Sequence, residues 1–263
     1  MGTNQPLVKI HVHESTGTLV LNRPEKRNAL TRELIAELTQ GLEDLQRERR
    51  VRAIVISAAG PAFCAGMDLN EMQATAAAPN AQQQWHDDAV AYRELIESML
   101  RLPKPVIAAV GGPAMAGGAG LVLASDIVLA APEATFGLPE PKRGIIAGMV
   151  APLLNFRVGA GRAANLLLTA RTISAEEALR VGIFHEVLPG DQLWPRANQI
   201  AGEIAACAPE AILMTKRLLN ETIGEQLFTQ LSAGAAVSAT ARTTSAAAEG
   251  LAAFLEKRDP KFS

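Results

Sequence analysis

The chain has 263 residues, 48% hydrophobic and 20% charged, with a formal net charge of −2. That length supports a full core, as one large domain or a domain with an appendage, and the near balance of mixed charges gives no reason to expect nucleic acid or an anionic membrane as partner. Cys64 and Cys207 match no metal or redox spacing, and MGTNQPLVKIHVHE has neither a basic n-region nor an apolar h-region, so a reduced, cytoplasmic protein is expected.

In chain order, VKIHVH (Val8–His13) and TLVLN (Thr18–Asn22) read as a hairpin turning at Ser15, Thr16 and Gly17. His11 and His13 alternate with Ile10 and Val12, which puts them on a solvated face rather than on a metal. RPEKRNAL (Arg23–Leu30) is a polar loop. Thr31 caps a helix with Leu34, Leu38, Leu42 and Leu45 at helical spacing. The basic cluster Arg47, Arg49, Arg50 and Arg52 falls at its end, where cations suit the helix dipole. AIVIS (Ala53–Ser57) is a buried strand followed by the loop AAGPAFCAGMDLNEM, and Ala74 to Asn80 is an Ala-rich mobile segment. A helix with Tyr92, Leu95, Ile96, Met99 and Leu100 along one side ends before Pro103.

The stretch from Lys104 to Gly144 organises the chain. KPVIAAVGG is a Pro-bounded strand ending in a glycine turn, and in AMAGGAGLVLASDIVLA the residues Gly117, Gly118 and Gly120 open a short apolar helix. Pro105 to Ser125 is uncharged, but its glycines and prolines favour a core segment over a membrane span. ATFGLPEPKRG then sets Glu140 between two prolines. Beyond it lie a helical run at Arg162–Leu168, a helix SAEEALRVG with the capping box Ser174 and Glu177, and a last strand FHEVLP (Phe184–Pro189). After Gln192 three helical segments are expected, one opened by Pro209 and one broken at Gly224. The division falls at Pro189–Gly190: residues 1–190 alternate strands and helices, and 191–263 are helical.

Two loops, AFCAGMDL and AMAGGAG, each follow a buried strand with small residues where backbone N–H groups can be bare. A pair of such donors can stabilise an enolate or tetrahedral oxygen. No dinucleotide, phosphate-loop or nucleophile-elbow glycine pattern is present, and no His/Cys/Asp/Glu cluster has zinc spacing.

LNRPEKRNALT, FCAGMDLNEM, KPVIAAVGGPAMAGGAGL, ATFGLPEPKRGI, LTARTISAEEALRVGIFHEVL and EGLAAFLEKRDPKF, in that order, resemble segments of the crotonase superfamily, the enoyl-CoA hydratases and isomerases. The resemblance implies an α/β fold, a spiral of repeated ββα units with a helical C-terminal oligomerisation region that builds trimers or dimers of trimers. It implies an acyl-CoA thioester as substrate, with coenzyme A part of the substrate and no metal or other cofactor. It places the two carbonyl donors on the backbone N–H of Met67 and Gly117, with Ala65, Met67, Asp68, Leu69 and Asn70 along the CoA path. Arg23, Lys26 and Lys257 become phosphate candidates, Gly120 lies near the second donor, and Phe254 is assigned to the neighbouring subunit's site.

The same resemblance makes Glu140 the acid/base. Many hydratases of the family carry a second glutamate where this chain has Gly120. The expected reaction is hydration of a 2-enoyl-CoA to the 3-hydroxyacyl-CoA through an enolate. The alternative is a Δ3,Δ2-enoyl-CoA isomerase with Glu140 as its single proton shuttle, and a non-catalytic acyl-CoA-binding protein is the further one.

Overall fold

Apolar alternation brings β1 (Val8–His13) and β2 (Thr16–Leu21) together as the expected antiparallel hairpin. The turn sits earlier than expected. In the computed structural model, which describes residues 5–262, Glu14 adopts a left-handed φ of 49° and only Glu14 and Ser15 connect the strands. Gly17 is therefore buried inside β2 rather than in the turn.

From β2 the chain winds in successive turns of strand, short second strand and helix. The first runs from β2 through Leu30 into α1 (Arg32–Arg47), whose N-cap Thr31 accepts from the Leu34 N–H. The second runs from β3 (Ala53–Ala58) through Cys64–Met67 into α2 (Leu69–Ala76) and α3 (Ala81–Arg101). The third is β4 (Val106–Val110), β5 (Ala114–Met115) and α4 (Gly117–Ala124). The fourth is β6 (Ile127–Ala130), β7 (Thr135–Gly137), a 3-10 turn at Glu140–Arg143, then α5 (Val150–Val158) and α6 (Ala160–Thr169). β8 (Thr172–Ser174), α7 (Ala175–Val181) and β9 (Glu186–Val187) complete the strand-bearing part.

Two layers result. The larger sheet has the order β1-β2-β3-β4-β6-β9, parallel from β2 onward. The second layer joins Leu30 to Met67, Cys64 to Ala114, β5 to β7, and β7 to β8. Its register is what places the site, because each of its segments leads directly into a candidate residue.

Both faces of the larger sheet are covered at its centre, which is why β3, β4 and β6 read as continuous apolar runs rather than alternating ones. Ile54, Ile56, Val106, Ala108 and Val110 join the main core with α1, α3 and α4. Val55, Ile107, Ala109 and Leu129 face the other way, onto Leu193, Ala197, Ile200 and Ala201 of α8 (Leu193–Ala205).

The short apolar helix opened by Gly117 forms as expected and stops at Ala124, and Asp126 accepts from the Val106 N–H before β6 begins. Two sequence expectations change. The end of the loop, from Leu69, and the start of the Ala-rich segment, to Ala76, form α2, because Asp68 caps it. The C-terminal third contains α8, α9 (Pro209–Arg217), a π-helical segment Leu218–Ile223, α10 (Glu225–Ala241) and α11 (Ser245–Leu255), more segments than the three expected. The buried Lys216 ammonium anchors this region by donating to Met99 O at 2.9 Å, Lys104 O at 3.2 Å and Asp126 Oδ2 at 2.7 Å.

Candidate active site

Two loops end in left-handed or strained backbone just before each expected donor. Gly66 has φ 88°, and Ala116 has φ 51° and ψ −121°, a conformation costly for a residue with a Cβ. Each reorients the peptide that follows. Among the described residues, neither the Met67 N–H nor the Gly117 N–H donates to a backbone or side-chain acceptor. The neighbouring groups are used: Leu30 N–H donates to Gly66 O at 2.8 Å, and Ala116 N–H to Gly137 O at 2.9 Å. The loops touch at Gly66, where a Cβ would come within 2.6 Å of the Ala116 Cβ and 3.2 Å of the Gly117 nitrogen. Only glycine permits that approach.

Glu140 arrives from the next turn of the spiral. β7 pairs with β5, the strand that leads into Gly117, and Glu140 opens the proline-bounded 3-10 turn three residues after β7. Its side chain is 6% exposed, and Oε2 is buried without a hydrogen-bond partner. Burial pushes the carboxyl up to about 7, against a weaker pull from Arg143 in the opposite direction. A carboxyl poised there can both take and return a proton near neutral pH.

Ala65, Met67, Leu69, Gly117 and Glu140 line one inner chamber, together with Met72, Tyr92 and the 145–150 segment. The structure thus brings both expected donors and the expected acid/base to one cavity. Cys64 lies outside it, and burial pushes its thiol up to about 12, so it is no nucleophile.

The other expected residues are placed differently. Gly120 does not line the chamber, because Tyr92 stands over it: a Cβ at 120 would overlap the phenolic oxygen and lie 3.2 Å from Cζ. The Tyr92 hydroxyl donates to Gly117 O at 2.6 Å and is buried, and burial, with Cys64 and Glu140 nearby, holds it well above its ordinary pKa. The space left by the absent second glutamate is filled by a phenol.

Asp68 is 5% exposed and is committed to structure: it caps α2 through the Asn70 and Glu71 N–H groups and pairs with Arg23 at 2.6 Å. Burial alone would raise its carboxyl, but hydrogen bonds from Arg23 and the backbone outweigh that and hold it low. Arg23 is correspondingly engaged, also donating to Ala29 O at 3.2 Å. Asn70, Lys26 and Lys257 are exposed, and neither lysine has an ion pair among the described residues. Phe254 is 47% exposed and lies under the Arg143 guanidinium of its own chain, 4.5 Å from the ring centroid.

Sequence reasoning missed Tyr92, Arg143, Ser238 and Arg242, all lining the inner chamber. Tyr92 fell on an apolar helix stripe and read as core. Ser238 lies on α10 and Arg242 is the residue that caps its C-terminal end, about a hundred residues beyond Glu140, where no local pattern links them to it.

The profile of the enoyl-CoA hydratase/isomerase family matches residues 12–263. A Thermus thermophilus relative is 38% identical over 242 residues, 92% of this chain and 95% of its own. The Escherichia coli 1,2-epoxyphenylacetyl-CoA isomerase is 34% identical over 96% of this chain and 97% of its own length. The crystal structure of an enoyl-CoA hydratase/isomerase from Xanthobacter autotrophicus Py2 matches with a TM-score of 0.87 at 30% identity, covering 98% of each chain. With its spiral of strand, strand and helix and a helical C-terminal region, the chain belongs to the enoyl-CoA hydratase/isomerase family of the crotonase superfamily.

Proposed function

We propose that this enzyme moves the C2 proton of an enoyl-CoA thioester with Glu140, while the Met67 and Gly117 N–H groups hold the thioester oxygen. Negative charge grows on that oxygen as C2 loses its proton, and fixed backbone dipoles stabilise it without rearranging. The observation that carries the reading is the buried, unpartnered Glu140 Oε2 facing the same cavity as two backbone N–H groups without acceptors.

Isomerisation is the outcome this geometry supports best. The Glu140 carboxylate takes a proton from C2 of a 3-enoyl-CoA, and the electrons of that C–H bond form the enolate. Collapse of the enolate shifts the double bond to C2–C3 while Glu140 returns the proton to C4. One carboxylate suffices for this. Hydration was the first expectation from sequence; at Gly120, where many hydratases carry the second glutamate, Tyr92 fills the space a side chain would take. Hydration stands as the second reading because the Glu140 Oε2 is free to hold one water on its own.

The experiment is a panel of 3-enoyl- and 2-enoyl-CoA thioesters in water enriched in ¹⁸O. Conjugated-thioester absorbance growing from the 3-enoyl series without ¹⁸O in the product supports isomerisation. Loss of that absorbance from the 2-enoyl series with ¹⁸O at C3 selects hydration. Thioesters that bind and stay unchanged throughout would select a non-catalytic acyl-CoA-binding protein.

A further inference from the structure

The inner chamber opens into a larger one, with Leu69, Met72, Arg143, Ile145 and Arg242 lining both. The second chamber holds about 260 Å³ and is walled otherwise by Trp85, Thr243, Thr244, Ala247 and Leu251, among others. It adjoins the chamber assigned to the thioester through those shared residues, so an acyl group too long for the inner chamber has this space next to it.

Two buried donors at this chamber have no acceptor. Arg242 is 8% exposed, makes no hydrogen bond or ion pair among the described residues, and has Nη1 fully buried and unpartnered. The Trp85 indole Nε1–H is likewise buried without a partner. Buried polar groups are otherwise nearly always satisfied, and a buried guanidinium without a counter-ion is costly. Asp88 is the acid nearest to hand, but it is spent on Arg32, accepting from Nε at 2.6 Å and from Nη2 at 2.8 Å, with Gln84 donating to Oδ1 at 2.9 Å. Arg242 feels that acid only at a distance, and burial dominates in lowering its pKa. Ser238, one helical turn before Arg242 and also buried, adds a hydroxyl to the inner end of the same wall.

A guanidinium and an indole N–H are donors only. The group that satisfies both must bring acceptors and negative charge, in a cavity whose lining besides them holds Arg143, Thr243 and Thr244 among apolar side chains. We infer that the outer chamber binds a carboxylate carried at the distal end of the acyl group, so that the preferred substrates are enoyl-CoA monothioesters of dicarboxylic acids, held by Arg242 and Trp85. This rests on the reading of the inner chamber as the thioester site. The phosphates of coenzyme A are the other possible anion, and the test separates the two.

The test compares 2- and 3-enoyl-CoAs of five to eight carbons carrying a terminal carboxylate with the methyl esters of the same compounds. Both kcat/KM and direct calorimetric binding are measured, the latter with the saturated analogues. The wild type is expected to favour the acid over its ester by roughly 10–100-fold at the best chain length, the range of a charge-assisted hydrogen bond. Arg242→Met should collapse that ratio toward one, and Trp85→Phe, a smaller change in volume, should reduce it several-fold. If acid and ester bind and react alike in the wild type, the inference fails while the thioester site stands. If Arg242→Met weakens acid and ester equally, the arginine serves the coenzyme A moiety and the inference fails. If no acyl-CoA of either kind binds, the thioester site itself is wrong, and the inference falls with it.

Discussion

Gly120 is the residue whose meaning changed most between sequence and structure. In the sequence it marks a missing carboxylate, and a Glu there would be expected to restore hydration. In the fold the position is closed by Tyr92, whose hydroxyl also ties down the Gly117 carbonyl. Gly120→Glu should therefore destabilise the protein by about 3 kcal/mol or more, as overpacking in a tight core does. Adding Tyr92→Ala should recover part of the loss, a coupling readable from the Tm values of the two single variants and the double variant. A Gly120→Glu protein that melts like the wild type would show that Tyr92 does not occupy the space. Glu140 itself was legible from its proline frame, but its protonation behaviour was not, since burial is a property of the folded cavity. Its carboxyl rises from 4.5 to about 7 on folding. The folded state then holds a proton that the unfolded state has released, and stability falls as pH climbs from about 4.5 to about 7. Glu140→Gln removes that penalty, so it should stabilise the protein by about 3 kcal/mol above pH 7 and leave it unchanged below pH 4. Urea unfolding at pH 4 and pH 8 measures both ends, and equal stability of the two proteins at pH 8 would contradict the buried, neutral carboxyl.

At the scale of elements, the strands with strong apolar character and the capped helices were readable because local chemistry dictates them. Thr31 caps α1 and Ser174 caps α7 as their spacing implied. What escaped were elements made by partners. β7 is three residues long and exists through its pairing with β5 and β8. α2 exists because Asp68 turns its carboxylate onto the first N–H groups, and Asp68 in turn is neutralised by Arg23, contributed by a loop forty-five residues earlier. The resemblance assigned Arg23 to a phosphate and Asp68 to the CoA path; in the fold the two pair with each other, and Asp68 caps α2. Arg23→Met leaves a buried, uncompensated carboxylate and should cost about 3 kcal/mol in denaturant unfolding. A variant with wild-type stability but a raised KM for every CoA ester would return Arg23 to the phosphate role.

Over the whole molecule, the alternation of strands and helices was legible from the residues while the spiral came from the family resemblance, and the second layer's pairing fixes which loop ends meet. The walls of the outer chamber were not legible: they come from α2, α3, the Arg242–Thr244 segment that follows α10, and α11, parts far apart in the chain that only tertiary packing joins. The C-terminal third also carries unburied apolar surface. Leu227 and Leu231 are buried within the chain, and Phe228 packs under Arg101, but Met214, Leu218 and Leu219 are 63%, 52% and 52% exposed. Such a cluster on successive helical turns marks a protein contact. A homotrimer, or a dimer of trimers, is the expected assembly, and light scattering at micromolar concentration should give three or six times the 27.8 kDa chain mass. A monomer mass would contradict it.

The central claim is that Glu140 takes the C2 proton while two backbone donors hold the thioester oxygen. Solvent exchange at C2 tests it most directly, because it reads proton removal at C2 by itself, with no later step required. A saturated acyl-CoA with an exchangeable C2–H, incubated with the wild type in D₂O, should gain deuterium at C2. The rate should rise with pH through about 7, as the Glu140 carboxylate forms. Glu140→Gln should slow that exchange by roughly 10²–10⁴ while binding the thioester with nearly unchanged affinity. Exchange that proceeds at the wild-type rate in Glu140→Gln would show that another group moves the proton.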